Sequence, residues 1–289
     1  MVERNVFYER LSWPQVRDAA RADQVIVIPF ASIEQHGPHL PLDVDLRLAR
    51  EVCVRAARRN PNCLVMTPMA FGFEPHHMAW PGTIDVDWDV LIRYGVCVVS
   101  SLARHGFRRI LLINGHGSNR PILEMIVRLV QVRHPEILCA GQSWFALGAV
   151  AKAFQPLQES AYTSHACELE TSAYLAIDPD LVDMSQAVPD YSFRRSPHFW
   201  ADLTGKGPDP DSTVPLVAME YFATGSHAGV RGDPSKASAA KGEAALEAAA
   251  DEVATIIDEM RAREIIPPAD HHDADVETLK RQAAAASRR

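Results

Sequence analysis

Residues 24–30, QVIVIPF, run apolar without the alternation of a half-solvated strand, so the segment reads as a β-strand buried on both faces. A strand of that kind needs helices on either side of its sheet. Residues 109–113, RILLI, repeat the signature, and strand-like and helical stretches alternate around both runs. That is the pattern of an α/β chain, a single three-layer α/β/α domain with a mainly parallel sheet. Polar, histidine-bearing loops follow the two runs at once: Glu34-Gln35-His36-Gly37-Pro38-His39, with Asp45 beyond it, and Asn114-Gly115-His116-Gly117-Ser118-Asn119. Loops at the C-terminal ends of parallel strands share one edge, so ligands from both imply one site. If the chain stays extended past the first strand, Glu34 and His36 project to the same side. Asp45 is expected to return from a loop and close the site. Carboxylates and imidazoles together suit a hard or borderline divalent metal.

The other elements follow from local pattern. Residues 46–59 carry apolar positions at helical spacing and end in Arg58 and Arg59, favourable at a helix C-terminus. CLVMTP at 63–68 reads as a strand, 86–105 as a helix, 121–133 as an amphipathic helix with Pro121 in its first turn, and LCAGQSW at 138–144 as a fourth strand. Helices are expected over 166–177 and over 237–262, the longest, rich in Ala and Glu. No internal repeat or second domain is visible. Residues 185–215 are proline-rich and lack periodicity, an excursion of the kind that serves as a lid, an interface arm or a disordered segment. A Pro pair at 267–268 stops the preceding helix, so the domain is expected to span 1–266 and the tail 267–289 to be a mobile or weakly helical appendage.

Charge narrows the partners. A net charge of -8 with scattered basic residues argues against nucleic acid or an anionic membrane surface. There is no apolar stretch long enough to span a bilayer and no basic, apolar, small-residue leader, which together predict a cytoplasmic protein. Cys53, Cys63, Cys97, Cys139 and Cys167 are odd in number and lie mostly inside apolar runs, as reduced core thiols do.

Four segments in order, ASIEQHGPHLPLDVD, NGHGSN, HACELETSAYLAIDPDLV and GVRGDPSKASAAKG, resemble the creatininase family of metal-dependent amidohydrolases. The resemblance spans residues 24 to about 262 and implies a binuclear centre at the C-terminal edge of the sheet, in a homohexamer. It implies that Glu34, Asp45 and His116 hold one ion and His36, Asp45 and Glu170 the other, with Asp45 bridging. The ions would be Zn, Mn or Fe, which mixed carboxylate and imidazole ligands do not rank. Two ions sharing a water would lower its pKa and supply hydroxide as nucleophile while one polarises the scissile carbonyl. His165, ahead of the helix that carries Glu170, is the candidate proton shuttle to the leaving group. Glu168 could hold His165 in one tautomer or be a solvated helix residue.

The substrate pocket is less defined. His77 lies in HMAWPGT, which resembles a HxxFPGT segment of the family, and Trp144 falls where the resemblance places a substrate-clamping Trp. Creatinine-hydrolysing members carry a Glu where this chain has Ser118 and a lid Trp where it has Ala161. Ser118, with no base partner implied, is a pocket residue rather than a nucleophile. Trp80 reads as packing, His39 as loop-fixing, and His271 and His272 as part of a solvated tail. Three functions stay open for a small-molecule substrate or its alternatives: hydrolysis of a C–N bond in a linear or cyclic amide other than creatinine, ring-opening C–C hydrolysis of a dehydrogenated inosose-type polyol, and maturation of a precursor peptide.

Overall fold

The computed structural model describes residues 4–287. Four strands, β1 (Val25–Phe30), β2 (Cys63–Val65), β3 (Arg109–Asn114) and β4 (Leu138–Ser143), form one parallel sheet in the order β2-β1-β3-β4. Register is set by pairs such as Phe30 with Asn114 and Asn114 with Ser143, so β1, β3 and β4 end level with one another. β1 and β3 are buried at every position, as their unbroken apolar runs require.

Alternate side chains of these strands feed two cores. Val25, Val27, Leu111 and Ile113 pack under α2 (Val44–Arg59), α5 (Gly148–Phe154), α6 (Glu168–Ile177) and α7 (Ala239–Ala262). Ile26, Ile28, Ile110 and Leu112 pack under α1 (Trp13–Arg21), α3 (Trp88–Arg104) and α4 (Arg120–Arg133). The result is three layers, helix, sheet and helix, with α7 lying along α2, α5 and α6. Among the described residues the cysteines are all free, and only Cys97 is exposed. No helix among them is long and apolar enough to cross a membrane.

Three local expectations are revised. The strand expected over 63–68 ends at Val65, because Pro68 has no N–H to give the ladder; Met66 and Met69 still donate to Val27 and Pro29 at 2.8 and 2.9 Å. Asp45 does not return from a loop but sits in the first turn of α2, where a helix N-terminus favours a carboxylate. Residues 13–21, given no element from sequence, form α1, started by a Ser12–Gln15 capping box. In the tail, α8 (Val276–Ala286) starts where Asp275 accepts from Thr278 N, and it buries no residue.

The stretch at 185–215 holds only a short 3-10 turn, Met184–Gln186. Its base is pinned by Asp190, whose Oδ2 accepts from Ser226 Oγ and from the amides of His227 and Ala228. Bonds from Ser192, with those from the Ala228 and His227 amides, outweigh burial and hold the Asp190 carboxyl at about 2.

Candidate metal centre

The chain leaves β1 as a non-regular loop that buries Glu34, Gln35 and His36 together. The turn after β3 brings His116 alongside. Gly115 makes this possible, since a β-carbon there would overlap the backbone carbonyl of Asp45 in α2. Close approach of the turn to α2 places His116 Nδ1 3.1 Å from Asp45 Oδ2 and 3.3 Å from Glu34 Oε1. On the other side of Asp45, Oδ1 lies 3.4 Å from His36 Nε2. The His36 ring is set by Nδ1, 3.2 Å from the carbonyl of Glu34. Because a carbonyl only accepts, Nδ1 carries a proton, which leaves Nε2 as the nitrogen that would offer a lone pair to a cation beside Asp45. Ser32 Oγ donates to Asp45 Oδ2 at 2.5 Å.

Glu170 and His165 enter from the start of α6. Ala166, between them, has φ 49°, a left-handed conformation that costs a residue with a β-carbon about a kilocalorie per mole or more. That bend turns the chain from the bridge His165 forms with Arg231 into the helix. Among the described residues, three groups that could hold a metal ion result, each with donor atoms within 4.8 Å of one another: Glu34, His36 and His165; Glu34, Glu74 and His116; and His36, Asp45 and Glu170. All are buried.

The donor set fits a divalent cation. Both carboxylate oxygens of Glu34 and Nε2 of His36 are buried without a hydrogen bond, atoms that a protein interior does not leave bare without another partner. Without a cation the charges crowd one another. Burial, with Glu74 and Asp45 adding, raises the Glu34 pKa well above its ordinary value against the opposing pull of His116. Burial likewise lifts Glu170 to about 7 despite His36. Burial opposes charge on His36, but Asp45 overrides it and raises the imidazole to about 10. Burial also resists ionisation of Asp45, yet His36 and His116 hold its pKa far below the usual carboxylate range. Several acids and bases thus share few protons, the state a cation would resolve.

His165 Nε2 lies 2.8 Å from the Gln35 carbonyl and 3.0 Å from the Gln35 side-chain nitrogen, and Nδ1 faces Glu34 Oε1 at 3.4 Å. Burial and the neighbouring His36 and His77 keep this ring neutral, its pKa well below the ordinary value. His77 joins the cluster, with Nε2 3.8 Å from Glu34 Oε2 and Nδ1 3.1 Å from the Gln35 amide. Phe222 roofs it, stacked on His77 at 4.3 Å and edge-on to His165 at 4.8 Å. Trp80 touches only the edge of Phe222, at 5.9 Å.

Other sequence candidates separate. Ser118 Oγ lies 3.1 Å from His76 Nε2. Trp144 is buried in the α2, α5 and α7 core against Phe145, outside the ring cluster around His77. His39 bonds Thr171 Oγ1 at 2.9 Å and so ties its loop to α6. Glu168 is neither solvated nor bonded to His165: it is fully buried and accepts from Lys241 Nζ at 2.6 Å and Ser160 N at 2.7 Å. Glu74 and Phe222 also lie close to the cluster, but neither stands in a motif or at a strand end. Nothing local marks them.

Known proteins are similar to this chain over most of its length. The family model described as "Creatininase: Creatinine amidohydrolase" matches residues 9–257. The chain is 30% identical over 188 residues to 3-dehydro-scyllo-inosose hydrolase of Thermotoga maritima, covering 63% of this chain and 60% of that protein. It is 30% identical over 205 residues to creatinine amidohydrolase of Pseudomonas putida, covering 65% and 77%. It is 29% identical over 228 residues to a mycofactocin precursor peptide peptidase of Mycolicibacterium smegmatis, covering 76% and 78%. Among solved structures, a manganese creatininase superposes with TM-score 0.70 at 28% identity, covering 89% of this chain and 98% of that one. A creatininase variant of Zn-Zn type gives TM-score 0.70 at 27% identity with the same coverage.

Proposed function

Because the chain belongs to the creatininase family of hydrolases, we propose that it cleaves a C–N bond, in an amide or cyclic amide, of a small molecule. Two divalent ions would be held by Glu34, His36, Asp45, His116 and Glu170. One observation carries this reading: the two oxygens of Asp45 face different imidazoles, Oδ1 toward His36 and Oδ2 toward His116. A carboxylate in that position would serve both ions. When bound, the pair supplies an acidified water and a polarised carbonyl.

The chain supplies the rest. His165 directs Nδ1 into the cluster, with the Gln35 carbonyl against its other nitrogen. It takes a proton from the attacking water and returns it to the leaving nitrogen. Phe222 excludes solvent from above, and its contacts with His76, His77 and His165 close the chamber. Glu34, His36, Asp45, His116 and Glu170 are all less than a tenth exposed, which suits a small molecule better than an extended peptide.

A second reading keeps the metals and opens a carbocycle, a polyol related to an inosose. The Ser118–His76 pair favours it, since a hydroxyl and an imidazole can bond a polyol at the position where creatinine-hydrolysing members carry a Glu. Metal-loaded protein incubated with linear amides, cyclic amides, peptides and dehydrogenated inososes decides between them. Turnover confined to peptides would sink both small-molecule readings. The homohexamer implied by the family resemblance is likewise proposed, and light scattering in solution tests it.

A further inference from the structure

Glu74 lies between β2 and α3, immediately before a 3-10 turn at Pro75–His77. It is fully buried, and apart from the close contact of Oε2 with His116 neither oxygen of its carboxylate has a hydrogen-bond partner among the described residues. An anion stripped of water in this way is costly unless a charge or donor answers it. The group that answers is His116: Glu74 Oε2 is 2.5 Å from Nε2 of that ring. The opposite ring nitrogen, Nδ1, faces Asp45 Oδ2 at 3.1 Å and Glu34 Oε1 at 3.3 Å. The imidazole therefore spans from the ligand carboxylates on one side to a lone carboxylate on the other.

The surroundings hold Glu74 in that place. Its amide donates to Asp85 Oδ1 at 2.6 Å, and its carbonyl accepts from His77 N at 3.0 Å. Asn119, on the same turn as His116, clamps the loop: Oδ1 accepts from Phe73 N at 3.1 Å and Nδ2 donates to the Ala31 carbonyl at 2.9 Å. The residue before Glu74 is thus tied to the turn that carries the histidine. No segment of the family resemblance contains position 74.

We propose that Glu74 is a positioning residue that orients His116 for metal binding. It accepts the Nε2 proton, which fixes the tautomer whose Nδ1 lone pair points between Glu34 and Asp45. An anionic acceptor also makes the imidazole a stronger electron donor at Nδ1. The proposal rests on the metal-hydrolase reading.

The test uses full-length protein, stripped of metal and titrated with Mn2+ and with Zn2+, for wild type, Glu74→Gln and Glu74→Ala. Wild type should bind two ions. In Glu74→Ala one of the two sites should weaken by about 10- to 100-fold, the usual worth of such an outer carboxylate, with the other changed little. Glu74→Gln, which can accept the proton but carries no charge, should fall between. Long-range 1H–15N spectra of the zinc-loaded wild type should show His116 protonated at Nε2 and zinc-bound at Nδ1. Unchanged affinities in both variants, or zinc on Nε2, overturn the proposal. Abolition of one site in Glu74→Gln as well as in Glu74→Ala also overturns it, because Glu74 would then be a ligand itself. If Glu74→Ala fails to fold, the isosteric Gln variant decides alone. Fewer than two ions in wild type would instead defeat the underlying reading, whatever the variants do.

Discussion

Gly242 of α7 lies so close to Ser172 of α6 that a β-carbon at position 242 would overlap the Ser172 carbonyl group. α7 rests on α6 through that point, and the Ser172 hydroxyl accepts from Ser238 N just ahead of α7 at 3.1 Å. The contact fixes the distance between the longest helix and the helix that carries Glu170. Gly242→Ala should therefore destabilise the protein by about 1–3 kcal/mol, the cost of overpacking, despite the better helix propensity of Ala. Denaturant melts measure it. A neutral or stabilising change would mean that the two helices separate without cost.

Glu168 and Lys241 form a second tie between the same helices. Burial alone would raise the Glu168 pKa, but the bonds from Lys241 and Ser160 win and lower it below the ordinary value. A carboxyl depressed in the folded state contributes stability above its unfolded pKa of about 4.3 and loses it as pH falls through the folded value. Acid unfolding of Glu168→Gln should thus show a shallower loss of stability below about pH 4.3 than wild type. Lys241→Met removes the charge facing the Glu168 carboxylate, which keeps the amides of Ser160 and Glu159, and should cost about 1–3 kcal/mol near neutral pH.

Asp45→Ala should remove both ions, because its two oxygens face the two histidines that divide the site. Elemental analysis of the purified and reconstituted variant checks this. Retention of one ion would make Asp45 a ligand to a single metal.

His165→Ala should lower turnover by about two to four orders of magnitude, the ordinary worth of acid–base catalysis, with metal content unchanged. The structure makes the metal count informative, since His165 also falls in a group with Glu34 and His36 that could hold an ion. Loss of an ion from the variant would reassign His165 as a ligand. A fully active, metal-replete variant would remove it from the mechanism.

Creatinine should be hydrolysed poorly or not at all. Ala161 stands where a lid Trp is expected, and the roof over the cluster is Phe222, stacked on His77 at 4.3 Å. A phenyl ring already packed on the histidines leaves less room for a flat substrate than a hinged indole would. Steady-state assays decide, and robust turnover would overturn the expectation.

Sequence alone determined the layered sheet and most of its helices, because strands buried on both faces write an unbroken apolar run and amphipathic helices write a period. It also determined where these side chains would gather, since Glu34, His36 and His116 follow directly on β1 and β3, whose ends are level across the parallel sheet. Asp45 was found but misplaced, because a carboxylate in a first helical turn looks the same in sequence as one in a loop. Only the tertiary structure decided the rest. Glu168 looked like a solvated helix residue until α7 brought Lys241 against it. Glu74 and Phe222 lie 42 and 106 positions from His116, and no local spacing relates them to it. Their roles are contacts between segments distant in the chain, which exist only once the loops have closed over the sheet edge.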